Sequence, residues 1–212
     1  MGAKRKARAR ALLENRDLNG IVRWTEETKS ALGTLFSLTF EKDERLRWRA
    51  IEATGLAATV VARQSEERVR DFLRRLLWLM NDESGGLGWH APETIGEVVF
   101  HLPSLAGEYT VILTSFLREE PFERGSHFAL VRTGPLAPEA IRGSAGVLRE
   151  SLADSDPAIR AFAWHALRIA KSEIPGDVEA RLKEDKETIS IYSFTKGNMH
   201  TVSVKTYLRE TG

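Results

Sequence analysis

The sequence predicts an all-α fold, a short right-handed α-solenoid of about four helix pairs that ends in a small C-terminal β-hairpin. Three observations carry this. Apolar residues recur at helical spacing over most of the chain. A block built around an alanine returns at intervals of 41, 38 and 34 residues. Only the tail changes period, to runs rich in β-branched and aromatic residues.

The helical period is clearest in ERVRDFLRRLLWLM, where Val69, Phe72, Leu73, Leu76, Leu77 and Met80 form one broad apolar stripe. Similar patterns predict helices over 26–38, 46–61, 66–79, 91–102, 109–117, 121–131, 138–152 and 157–170. EKDE, ESGG, LPSL, REEP, RTGPLAP and DSDP separate them. Asp156 before Pro157 is a capping acid followed by proline at the first helical position. Pro92, Pro121 and Pro138 suggest further helix starts of that kind. In the tail, 188–194 and 199–207 read as strands, with Gly197 and Asn198 available for the turn. A lone hairpin is marginal in water, so it must pack on other elements.

The repeat is read by aligning alanines. WRAIEATG (48–55) and WHAPETIG (89–96) share Trp, Ala, Glu and Gly at four of eight positions. HFALVRTG (127–134) keeps the alanine and glycine, and AFAWHALR (161–168) keeps the alanine. The anchors are Ala50, Ala91, Ala129 and Ala163, each preceded by another amphipathic helix. LRWRAIEATG and IRAFAWHALR resemble the second-helix pattern of the HEAT-repeat family, and DSDP resembles its inter-helix turn. The resemblance covers roughly residues 26–172. It implies a repeat domain over 26–176, preceded by a basic helical arm (1–25) and followed by a helix and hairpin cap (177–212).

Composition bounds the function. Hydrophobic residues are 42% and charged residues 29%, as in ordinary globular chains. No apolar run is long enough for a membrane span, and MGAKRKARAR is not a secretory signal. The absence of cysteine excludes disulfides and thiol chemistry, so a cytoplasmic location is expected. The net charge is +1, yet Lys4, Arg5, Lys6, Arg8 and Arg10 supply five positive charges, which leaves −4 on residues 11–212. The arm offers a route to nucleic acid, but the body has no basic surplus.

In the HEAT-like register, the first, second and fifth positions of each block are not needed for packing. They are Trp48, Arg49 and Glu52; Trp89, His90 and Glu93; His127, Phe128 and Val131; and Ala161, Phe162 and His165. The resemblance implies that second helices line a concave face. Large aromatic groups with a few polar ones there suit recognition of a protein segment. The expected function is therefore a scaffold or adaptor module, with Trp48, Arg49, Glu52, Trp89, His90, Glu93, His127, Phe128, Phe162 and His165 as its binding residues.

Two alternatives remain. NDESGG, with Asp82, Glu83, Gly85 and Gly86, reads as a turn between helices; acids beside glycines also suit a ligand-covering loop. That would make a small-ligand or metal-binding enzyme centred on 82–93. His90 and Glu93 are one helical turn apart, but two ligands make no metal site, and no metal or cofactor is assigned. The iron-binding HEAT-like hydroxylases use adjacent His-Glu pairs, and this chain has no His-Glu dipeptide. The HEAT-like DNA glycosylases need a basic face, where this one has Arg49 beside two glutamates. The second alternative is nucleic-acid binding through the arm. The sequence carries no specific catalytic motif.

Overall fold

The computed structural model describes residues 2–81 and 89–212. The NDESGG loop expectation, with Asp82, Glu83, Gly85 and Gly86, lies outside the described residues. The described residues are mostly helical, with thirteen α-helices and one two-stranded hairpin. They divide into two compact units, Met1–Leu102 with Tyr192–Asn198, and Pro103–Ile191 with Met199–Gly212. Among them no helix is long and apolar enough to cross a membrane.

The first unit contains α1 (Gly2–Glu14), α2 (Leu18–Glu27), α3 (Ala31–Phe36), α4 (Glu44–Gln64), α5 (Glu66–Asn81) and α6 (Ala91–His101). α4 starts where Asp43 accepts a hydrogen bond from the Leu46 amide. It runs to Gln64, longer than the sequence pattern suggests. α4 packs on α2, α3, α5 and α6, and its small residues Ala50, Ala53, Gly55, Ala57 and Ala58 are all buried. Gly55 marks a close approach to α6. A Cβ there would lie 2.6 Å from His101 Cδ2 and 2.9 Å from the Glu97 carbonyl oxygen.

The helix expected over 26–38 is two helices, because α2 begins earlier, at the Asp17 cap, which accepts from the Gly20 amide at 2.8 Å. The arm is helical, as its pattern suggests, and it is folded against the body. Ala9 and Leu13 of α1, and Ile21 and Trp24 of α2, are buried. α1 packs on α2, α3 and α4.

The second unit contains α7 (Ala106–Thr114), α8 (Glu123–Thr133), α9 (Pro138–Arg142), α10 (Ala145–Ser151), α11 (Pro157–Ile169), α12 (Gly176–Leu182) and α13 (Val204–Thr211). α7 packs on α8, α10 on α11, and α8 on α11. α11 starts as read, with Asp156 accepting from the Ala158 amide at 2.7 Å. Pro92 and Pro138 also stand in first turns. Pro121 does not, because α8 starts at Glu123. The segment 138–152 is broken at Gly143–Ser144 into α9 and α10.

The hairpin pairs β1 (Thr188–Ser193) with β2 (Asn198–Ser203). Gly197 turns with φ of +67°, which glycine tolerates, and the Arg16 side chain passes where its Cβ would stand. The second strand is shorter than expected. Ser203 Oγ accepts from the Thr206 amide and caps α13, so residues 204–207 are helical. The hairpin tip belongs to the first unit; α13 is the element that covers α11.

Candidate functional site

Trp48, Arg49 and Glu52 stand together on α4, as their spacing requires, and the hairpin tip covers them. Tyr192 stacks on Trp48 with centroids 5.8 Å apart and planes 8° apart, and Phe194 meets Trp48 edge-on at 6.5 Å. The Arg16 guanidinium grips Glu52 in bidentate fashion at 2.7 and 3.1 Å, and the Tyr192 hydroxyl donates to the same carboxylate at 2.6 Å. Arg16 also donates to the carbonyls of Phe194 and Thr195. Burial, then the bond to Glu52, holds the Tyr192 hydroxyl well above its ordinary value.

Arg49 is buried and spends its donors mainly on backbone, with Nη2 donating to Asn198 Oδ1 at 3.4 Å. It bonds Gly197 O at 2.9 Å, Leu13 O at 3.1 Å and Glu14 O at 2.7 Å. A buried guanidinium needs such a full set. This part of the expected groove thus serves as the receptor for residues 192–198.

On α6 the expected residues separate. Trp89 is 57% exposed just before the helix. His90 is half-buried, and its Nδ1 lies 3.5 Å from Glu93 Oε1. Glu93 Oε2 is buried without a hydrogen-bond partner among the described residues. Sequence reasoning missed Glu97 and His101, which continue this stripe at four-residue spacing. His101 Nε2 lies 3.1 Å from Glu97 Oε1, and Glu97 is buried. The recurrence of His and Glu at 90, 93, 97 and 101 was the available signal. Among the described residues no group of three or more such side chains is arranged to hold a metal ion.

In the second unit, His127 is fully buried. Its Nδ1 faces the Glu123 carbonyl at 2.7 Å and its Nε2 faces Ser151 Oγ at 3.0 Å. A carbonyl only accepts, so Nδ1 carries the proton and Nε2 is the acceptor. Ser151 Oγ has one proton, which it donates either to Nε2 or to the Val147 carbonyl of its own helix, each 3.0 Å away. Phe128 meets Phe162 edge-on at 5.8 Å, and Phe162 meets Tyr207 at the same distance. His165 Nδ1 lies 2.8 Å from the Tyr207 hydroxyl. α13 therefore covers Phe162 and His165.

These histidines make stability depend on pH. Burial lowers His165 from 6.5 to about 4, and burial lowers His127 too. The unfolded chain takes up protons near 6.5 that the folded chain refuses, so stability falls as pH drops from 6.5 towards 4. Replacing His165 by glutamine is expected to make the fall in melting temperature over that window shallower. An unchanged slope would show that the burial of this imidazole contributes nothing to it.

A feature the sequence did not signal lies between α3 and α5. A groove of about 430 Å³ opens there. Leu32, Phe36, Val61, Phe72 and Leu76 form its floor, and Lys29, Arg68 and Arg75 stand among its walls. Phe36 meets Phe72 edge-on at 6.2 Å, and Phe40, 41% exposed, meets Phe36 at 5.4 Å. Trp78, 65% exposed, follows Arg75 by three residues and so continues its side of α5. The acid in the wall, Asp71, is paired with Arg74.

The basic arm leads to this groove. Arg5 Nη1 donates to Oγ of Ser30, a lining residue, at 2.8 Å. Lys6 reaches Ser37 O and Glu41, Arg8 reaches Glu27, and Arg10 reaches Glu14 and Glu41. These pairs are exposed, so each contributes little. They do hold α1 along α2 and α3.

No family model matches the chain, and no solved structure matches it significantly. A protein of Archaeoglobus fulgidus, described as uncharacterised, is 26% identical over 160 residues, which cover 74% of this chain and 84% of that one.

Proposed function

We propose that this chain is a cytoplasmic protein-interaction module that holds a segment of a partner protein, and that its binding surface is the α3–α5 groove of the first unit. The carrying observation is the groove itself: an open trough with an apolar floor. The exposed ring of Phe40 touches its lining residue Phe36, and the exposed Trp78 lies one helical turn beyond its lining residue Arg75. Large exposed apolar side chains beside a concavity favour a binding site over an ordinary surface. In the first unit the hairpin tip already engages α4, and in the second unit α13 engages α11, which favours the first-helix side.

The helix pairing supports a HEAT-like reading of the repeats. α3 packs with α4 and α5 with α6 in the first unit, as do α7 with α8 and α10 with α11 in the second. In each unit the second helices also pack on one another, α4 on α6 and α8 on α11. On this reading α3 and α5 are first helices of successive pairs, so the groove lies between repeats.

The test is selection of 16-residue helical peptides from a displayed random library on the purified chain. Enriched clones are expected to bind wild type and to weaken about tenfold or more with Trp78→Ala or Phe40→Ala, as removal of aromatic anchors does. Trp89→Ala should leave them unaffected. If no clone is enriched, or if Trp89→Ala alone removes binding, the proposed surface is wrong.

A further inference from the structure

We infer that the occupant of the α3–α5 groove is an acidic amphipathic helix, with apolar residues at three- and four-residue spacing and carboxylates along both flanks. The inference rests on the interaction-module reading and adds the chemistry of the partner. The chain outside the first ten residues is net acidic, yet the groove is not. Its walls carry Lys29, Arg68 and Arg75 against Asp71, whose carboxylate is held by Arg74. Arg5, bonded to Ser30 at the groove, adds a fourth cation from the arm. Glu66 and Glu67, the other acids of α5, lie with Arg70 and Arg74 respectively. Carboxylates on an incoming helix would therefore meet cations on both sides.

The floor sets the geometry. Phe72, Leu76 and Leu79 recur along α5 at helical spacing, opposite Leu32 and Phe36 of α3. Two rows of apolar side chains beneath charged walls take the apolar stripe of a helix and leave its flanks at the rim. The floor residues are themselves largely buried, so the groove is shallow. A shallow groove favours a helix face over a small molecule, which needs most of its surface enclosed.

The experiment extends the same library selection. Enriched peptides are expected to carry an excess of Glu and Asp flanking an apolar stripe. Their affinity should fall about tenfold or more in the Arg68→Glu, Arg75→Glu double variant, and weaken as salt rises. Both arginines are exposed, so the variant should keep its helical circular dichroism. Lys29→Glu provides a second reversal just before α3, where Arg68 donates to the Lys29 carbonyl at 3.0 Å.

Enriched peptides that lack an acidic bias, or that bind both reversal variants normally, would overturn the inference while leaving the interaction module intact. No enrichment at all would overturn both. Three other occupants are offered separately to wild type and the double variant: a fluorescent fatty acid, a 20-nucleotide single-stranded RNA, and a second copy of the chain, followed by sedimentation. Any of them held in a reversal-sensitive way, where acidic peptides are not, replaces the helical partner and overturns the inference.

Discussion

Glu52→Ala is expected to lower stability by roughly 3 kcal/mol, because it breaks an ion pair whose carboxylate is buried and leaves the half-buried Arg16 without a counter-charge. Arg16 would lose both of its carboxylate bonds and Tyr192 the acceptor of its hydroxyl. For a chain of this size that corresponds to a fall of about 9 °C in melting temperature. The hairpin tip should loosen as well, since Glu52 joins α4 to residues 192–198 through Tyr192. Trypsin cleavage after the exposed Lys196 is the local readout. Faster cleavage with a lower melting temperature is expected. Unchanged values for both would mean that the network holds nothing together. Glu52→Gln keeps an oxygen for Tyr192 and should cost clearly less.

Gly55→Leu is expected to be comparably damaging, at about 3 kcal/mol, through overpacking between α4 and α6. Even the first added carbon would meet the Glu97 carbonyl oxygen at 2.9 Å, and backbone cannot step aside as a side chain can. Gly55→Ala meets the same oxygen but regains about 1 kcal/mol of helix propensity, so its net cost should be smaller. His101→Ala removes the 2.6 Å contact alone and should only partly rescue Gly55→Ala. Thermal melts of the single and double variants measure this. Full rescue would show that the carbonyl contact is unimportant.

The glycine in WRAIEATG was legible from the aligned blocks, and the structure supplies its physical meaning as a point where α6 leaves no room for a Cβ. The start of α11 was legible too, because an acid before proline specifies a cap locally. So was the hairpin turn, where Gly197 takes a positive φ. The start of α2 was readable in principle from Asp17, but the cations before it drew the reading towards an arm. The ends of 26–38 and 138–152 failed because apolar spacing continues across a short break.

The proposed binding face was the least legible. Spacing correctly grouped Trp48, Arg49 and Glu52 on one side of α4. What it could not supply was Tyr192, which reaches Glu52 from 140 residues away in sequence. Likewise, Phe162 and His165 look unused until Tyr207 is placed on them. The α3–α5 groove was hidden for the opposite reason. Lys29, Arg68 and Arg75 read as an ordinary solvated helix face, and only the third dimension sets them around one apolar floor.

Hydrogen–deuterium exchange of the protein alone and saturated with a selected peptide tests the central claim most directly. The account predicts slowed exchange confined to residues 29–40 and 68–79, the two sides of the groove. Protection centred on 89–101 instead, around Trp89 and His90, or no protection at all, would contradict it.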